Sequence, residues 1–238
     1  MKIRLSNPLQ SDSIVDGEGM RAVLWTQGCP HKCPGCHNPE THDFNGGFIK
    51  DTDEVIEELQ ANMAFEDGLT LSGGDPFMQA EAVSIIAEAV SAMGKNIWAY
   101  TGFTYEKLLE MSAQNPHIFN LLSNIDVLVD GRFEMSLKSM DLYYMGSRNQ
   151  RVIDVKKSLK NKEVVLIEKY NNILMLANSL DHRNDVLVTG FNLLSSILLY
   201  FGISYIDRIV GFGIGVWIIL QGIQILITSY NVLMDKSL

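Results

Sequence analysis

Short apolar runs alternate with amphipathic stretches along the first two thirds of the chain. Residues 21–27 (RAVLWTQ), 68–72 (GLTLS), 96–101 (NIWAYT), 124–130 (NIDVLVD) and 149–155 (NQRVIDV) are β-leaning and read as strands. Between them, apolar residues at three- and four-residue spacing predict helices over 51–64, 78–94, 104–114 and 116–123. Asp51 or Thr52 suits the N-cap of the first helix, Asp53 and Glu54 suit its first turn, and Gly94 suits the stop of the second. Strands alternating with helices imply βα units and a mostly parallel α/β sheet. Five or so strands within residues 1–168 fall short of the ~200 residues a closed eight-unit barrel needs, so a partial, open (β/α) barrel is expected. Such sheets hold ligands at the carboxyl ends of their strands. Three loop-like segments lie there: Gly28–Pro39, Gly73–Pro76 and Thr101–Gly102.

The pattern changes after residue 170. Between Val186 and Met234 the sole charges are Asp207 and Arg208. Residues 186–206 and 209–234 each meet the ~20 residues needed to cross a ~30 Å hydrocarbon layer. A transmembrane-like hairpin is expected, and the basic residues Lys156, Lys157, Lys160, Lys162, Lys169, Arg183 and Lys236 place both its ends in the cytoplasm. Gly211, Gly213 and Gly215 would permit close helix packing. The alternative is a buried helical hairpin of a soluble core. The near-neutral mean hydropathy is thus an average over two unlike parts, residues 1–168 and 172–238, with no Gly/Ser/Pro linker between them. Residues 1–170 hold most of the charge, and the whole chain of 238 residues has a net charge of −9, which disfavours a general nucleic-acid binder. No leader of the secretory type opens the chain, consistent with a cytoplasmic first part.

All three cysteines fall in GCPHKCPGCHNPE as C-x3-C-x2-C: Cys29, Cys33 and Cys36. The odd, tight cluster excludes a disulfide framework and points to a metal or redox site in a reducing compartment. Three thiolates on one loop suit three irons of a [4Fe–4S] cluster, leaving the fourth iron open to a small molecule. Pro30, Pro34 and Gly28 bend and stiffen the loop. A zinc site completed by His31, His37 or His42 is the competing reading. The segment Leu71–Pro76 follows a strand and precedes a helix. Its glycines allow close backbone approach and offer amide hydrogens, and Asp75 is placed to meet a cation or cap the helix. His42 and His117 read as surface residues.

The cysteine triad resembles the signature of radical S-adenosylmethionine enzymes. Asp16–Arg21, Trp25–His31 and Cys36–Pro39 are similar to the glycyl-radical-enzyme activases. Leu71–Phe77, Ala99–Gly102, Val129–Phe133 and Gly146–Asp154 extend the likeness over residues 1–168 to the anaerobic ribonucleoside-triphosphate reductase activating branch, as distinct from the pyruvate formate-lyase activases. The chain departs from the pattern at Arg148, where a small residue is expected, and at Gly35, where many radical enzymes place an aromatic. The resemblance implies Cys29, Cys33 and Cys36 as cluster ligands, with Gly35, Cys36, His37, Gly73, Gly74 and Asp75 at the methionine end of S-adenosylmethionine. It implies one-electron cleavage of that cofactor to methionine and a 5′-deoxyadenosyl radical, which takes a hydrogen from a glycine of the large reductase. A flavodoxin or ferredoxin is the implied electron donor.

Ala177–Val186 and Tyr230–Leu238 resemble the fifth and sixth membrane helices of manganese-type cation diffusion facilitators. Asp181 and Asp185 would share a helix face and supply at most half of a cation site, so a fused, non-transporting remnant is expected.

Overall fold

The computed structural model describes residues 1–139, 142–171 and the isolated positions 189, 193 and 215. The chain divides between Leu174 and Met175, and the sheet with its helices, residues 2–171, lies in the first unit. The expected hairpin of residues 172–238, with Asp181 and Asp185, lies outside the described residues apart from those isolated positions. Among the described residues no helix is long and apolar enough to cross a membrane.

The elements run β1 (Lys2–Leu5), β2 (Gln10–Ser13), β3 (Arg21–Thr26), β4 (Phe48–Asp51), α1 (Thr52–Asn62), β5 (Gly68–Gly73), α2 (Ala80–Ala92), β6 (Asn96–Tyr100), α3 (Tyr105–Ser112), α4 (Pro116–Asn124), β7 (Val127–Asp130), β8 (Arg151–Asp154), α5 (Val155–Asn161) and α6 (Glu168–Asn171). All eight strands join one open sheet in the order β4-β1-β3-β5-β6-β7-β8, with β2 also paired to β3. The expected βα units are present: β3, β5, β6 and β7 are parallel neighbours. The expectation of some five strands in a mostly parallel sheet is corrected, because β1, β2, β4 and β8 pair antiparallel. A parallel return needs a crossover of a dozen or more residues, usually helical. Among its described residues the β7–β8 connection, residues 131–150, forms a short 3-10 turn at Met135–Leu137 and an isolated bridge between Lys138 and Ser147 rather than a helical crossover, and the chain comes back alongside β7.

The two faces of the sheet carry different work. In β6, Ile97 and Ala99 join the main core, where Leu69 and Leu71 of β5 meet Val83 and Ile86 of α2 and Leu121 and Leu122 of α4. Burying each such Leu or Ile contributes about 1.5–3 kcal/mol. The alternate residues Trp98 and Tyr100 face the other way and join Val129, Val152, Met145 and Tyr170. Helix starts follow local chemistry. Asp51, Thr104, Asn115 and Asp154 cap α1, α3, α4 and α5 by accepting N–H bonds from the first turn. Gly94, at φ +74°, ends α2 as expected. The register aligns Thr26 with Gly73 and Tyr100 with Val129, so the carboxyl ends of the parallel strands share one edge.

Candidate iron–sulfur site

A cavity of about 680 Å³ lies at that edge. Cys29, Cys33, Cys36, His37, Gly73 and Gly74 line it together, joined by Thr101 and Gly102 after β6. The rim expected to collect cysteines and glycines therefore exists as one surface. Gly35 and Asp75, also expected against a cofactor, do not line the cavity.

The cysteine loop leaves β3 and is braced from behind by residues 38–43. Gly28 N–H donates to Thr41 O at 2.9 Å and Cys29 N–H to His42 O at 3.4 Å. The buried Gln27 amide donates to Glu40 O at 3.0 Å and Asp43 O at 2.6 Å. His42 is thus half-buried against the loop rather than a surface residue, and its Nε2 is buried. His117 is likewise of intermediate burial, although its side chain is 44% exposed.

Gly73 and Gly74 serve close approach, but not through free amides. Gly74 N–H donates to Thr26 O at 2.7 Å and Asp75 N–H to Gly28 O at 2.9 Å, which sews the β5 loop to the cysteine loop. A Cβ on Gly73 (φ +97°) would sit 2.5 Å from Thr26 O, and one on Gly74 would sit 2.5 Å from Gly28 O. Only glycine allows two backbones this near.

Asp75 lies beneath the cavity, fully buried. Its Oδ1 accepts from Phe77 N at 3.1 Å, capping the turn Pro76–Gln79 as one expectation had it. Its Oδ2 accepts from Thr101 Oγ1 at 2.9 Å and Gly102 N at 3.1 Å, and lies 2.9 Å from His31 Nε2. An ionised carboxylate only accepts, so the imidazole donates. These bonds account for the carboxylate's burial and leave it facing protein rather than cavity.

The site residues that sequence reasoning missed sit on the β7–β8 connection. Phe133, Lys138, Ser139, Leu142, Tyr144, Met145, Gly146 and Gln150 complete the cavity wall. Gln150 Oε1 accepts from Gly146 N at 2.8 Å while its Nε2 donates to Gly131 O at 2.9 Å, folding the strap on itself. Arg132 Nη2 donates to His31 O at 2.5 Å. At Gly35 (φ +74°) a Cβ would collide with the end of Met135 and lie 3.4 Å from Phe133. The Phe133 ring also lies 5.8 Å from that of His37. The space beside Gly35 is thus taken by strap residues about a hundred positions later. Arg148, the other departure, is exposed, and its backbone N–H donates to Leu137 O at 2.9 Å.

The donor set fits an iron–sulfur cluster better than a single ion. The three thiols are free and half-buried. Among the described residues no three His, Cys, Asp or Glu side chains converge on one point as a single zinc ion requires. A four-iron cluster asks instead for one thiolate per iron. Burial pushes the Cys29 thiol up, against the lowering effect of the His31 and Lys32 backbone N–H groups, so loading the site releases protons.

Sequence comparison agrees with this chemistry. The family of 4Fe-4S single cluster domains matches residues 15–153, and the chain belongs to it. Over its first part it is 39% identical across 146 residues to an anaerobic ribonucleoside-triphosphate reductase-activating protein of Salmonella typhi, covering 58% of this chain and 91% of the relative. A protein of the same name from Escherichia coli strain K12 is 40% identical over 147 residues, with the same coverage. One from Enterobacteria phage T4 is 35% identical over 144 residues, covering 58% and 86%. The chain is a member of this family of reductase-activating proteins, a branch of the radical S-adenosylmethionine glycyl-radical-enzyme activases.

Proposed function

We propose that the protein activates an anaerobic ribonucleoside-triphosphate reductase by placing a glycyl radical on it, using a [4Fe–4S] cluster and S-adenosylmethionine held in the cavity. When bound, the cluster supplies one electron for reductive cleavage of the cofactor, and the resulting radical chemistry removes a hydrogen atom from a glycine α-carbon of the reductase. The chain's own residues bind, orient and shield. Cys29, Cys33 and Cys36 would hold the cluster, and its remaining open site would take the cofactor. Gly73, Gly74, Cys36 and His37 lie along the methionine end, and the strap residues Phe133, Leu142 and Tyr144 supply the apolar wall that excludes water. Gly35 and Asp75 act from behind this surface. The observation that carries the reading is that all three cysteines and the paired glycines line one cavity at the carboxyl ends of parallel strands.

Residues 1–168 are proposed as the activase domain and residues 172–238 as a separate part. A flavodoxin or ferredoxin is the proposed electron donor. Insertion of residues 186–234 into a membrane rests on their sequence, and blotting of membrane fractions tests it. Anaerobic reconstitution with iron and sulfide tests the main reading. Broad absorbance near ~400 nm, cofactor cleavage on reduction and a glycyl radical signal after mixing with the reductase are expected. Tight zinc with no reducible cluster would overturn it.

A further inference from the structure

The arch between Cys29 and Cys33 has little backbone support of its own. Pro30 has no N–H. Lys32 takes a left-handed backbone, φ +48°, which a non-glycine residue adopts at a cost that its surroundings must offset. No backbone–backbone hydrogen bond ties residues 30–32 among the described residues.

What holds the arch is His31, from three directions. Its ring meets Asp75 Oδ2 at 2.9 Å, and that carboxylate is fixed by Phe77, Thr101 and Gly102. Phe103 packs edge-on against the ring with centroids 4.4 Å apart. A Cβ on Gly102 would collide with the imidazole, so the ring fills the space that glycine leaves. Its carbonyl is held by Arg132 at 2.5 Å. The His31 side chain is only 10% exposed. The loops after β5, β6 and β7 thus converge on one residue, two positions from Cys29 and two from Cys33.

We infer that His31 is a positioning residue for the cluster: locked by Asp75, Gly102 and Arg132, it fixes the spacing of Cys29 and Cys33 without touching the irons. Residues that orient metal ligands from outside typically change metal affinity or activity by ~10–100-fold when replaced. The inference rests on the iron–sulfur reading of the site.

The test uses the full chain, wild type and His31→Ala, His31→Gln and Gly102→Ala, reconstituted anaerobically. Release of iron to a chelator and the electron paramagnetic resonance spectrum of the reduced cluster are followed. His31→Ala is expected to release iron about tenfold faster or more, with an altered spectrum. His31→Gln, which keeps a donor for Asp75, stays within about twofold of wild type by the same comparison. Gly102→Ala displaces the ring without removing a polar group and moves with His31→Ala, which keeps the test valid if His31→Ala does not fold. Release from His31→Ala at the wild-type rate, or a His31→Gln as defective as His31→Ala, would overturn the inference. In the metal-free chain, alkylation of Cys29 and Cys33 is expected to be faster in His31→Ala than in His31→Gln, and equal rates count against the inference. A wild-type chain that takes up no cluster sinks the functional reading instead, and the alkylation rates still decide the role of His31.

Discussion

At the scale of single residues, buried polar side chains set the geometry behind the cavity. Arg21, 1% exposed, spans the inner face of the sheet. It donates to Thr70 Oγ1, Glu18 O, Leu69 O and Asn96 O, and its guanidinium lies 5.5 Å from the centre of the Trp98 ring. Burial lowers its pKa to about 10, and it remains a cation at neutral pH. Lysine cannot reproduce the planar fork. Arg21→Lys is expected to strand at least two buried acceptors and destabilise the fold by about 2–4 kcal/mol, read by denaturant unfolding. Arg151 makes the opposite kind of site, bridging the buried Asp130 and the exposed Glu106. Its hydrogen bonds hold the Glu106 carboxyl at about 2, below the ordinary carboxylate range. A depressed carboxylate pKa gives stability that is present above the unfolded value of ~4.3 and is lost as pH falls toward 2. Glu106 is 57% exposed, so screening keeps the contribution below about 1 kcal/mol. Unfolding measured at pH 6 and pH 3 should show a smaller acid loss in Glu106→Gln than in wild type.

At the scale of elements, the legible parts were those whose neighbours in space are also neighbours in pattern. The βα units stood out because β3, β5, β6 and β7 are short apolar runs beside amphipathic helices. β2 (QSDS) and β4 (FIKD) were not legible, since exposed, polar strands lack the alternation that betrays a half-buried one. The reversal of β8 was hidden for another reason: direction belongs to the connection, and no local signal in residues 151–154 carries it. In the site, cysteines and glycines announced their chemistry by spacing. Asp75 announced only its cap on the following turn, because its other partners His31, Thr101 and Gly102 lie 26 to 44 residues away. The strap escaped for the same reason. Gly74→Ala tests the seam between the β5 loop and the cysteine loop. With Gly28 backbone 2.5 Å from the new Cβ, a loss of about 1–3 kcal/mol and reduced iron uptake after reconstitution are expected.

At the scale of the molecule, the first unit is joined to itself near both its ends. Tyr170 of α6 donates to Glu18 and packs edge-on against Trp98 and Tyr144. Ile167 N–H donates to Val152 O at 2.9 Å, drawing the same segment onto β8. A chain ending at Asn171 keeps all of these bonds. It is expected to take up the same iron per chain as the full-length protein, while one ending at Asn161 loses stability and iron together.

The aromatic stack has an optical consequence. Trp98 sits 4.9 Å from Tyr144 and 5.7 Å from Tyr170, ring centre to ring centre, with Arg21 over its face. Tyr144 is at once a wall of the cavity and a neighbour of that indole. The protein therefore carries its own gauge of strap position, a buried indole beside the cavity-lining Tyr144 that needs no label. In a Trp25→Phe, Trp217→Phe background, the metal-free chain should report a ligand entering the cavity as a shift in Trp98 emission. Replacing Tyr144 with leucine should leave binding measurable by calorimetry while muting that shift.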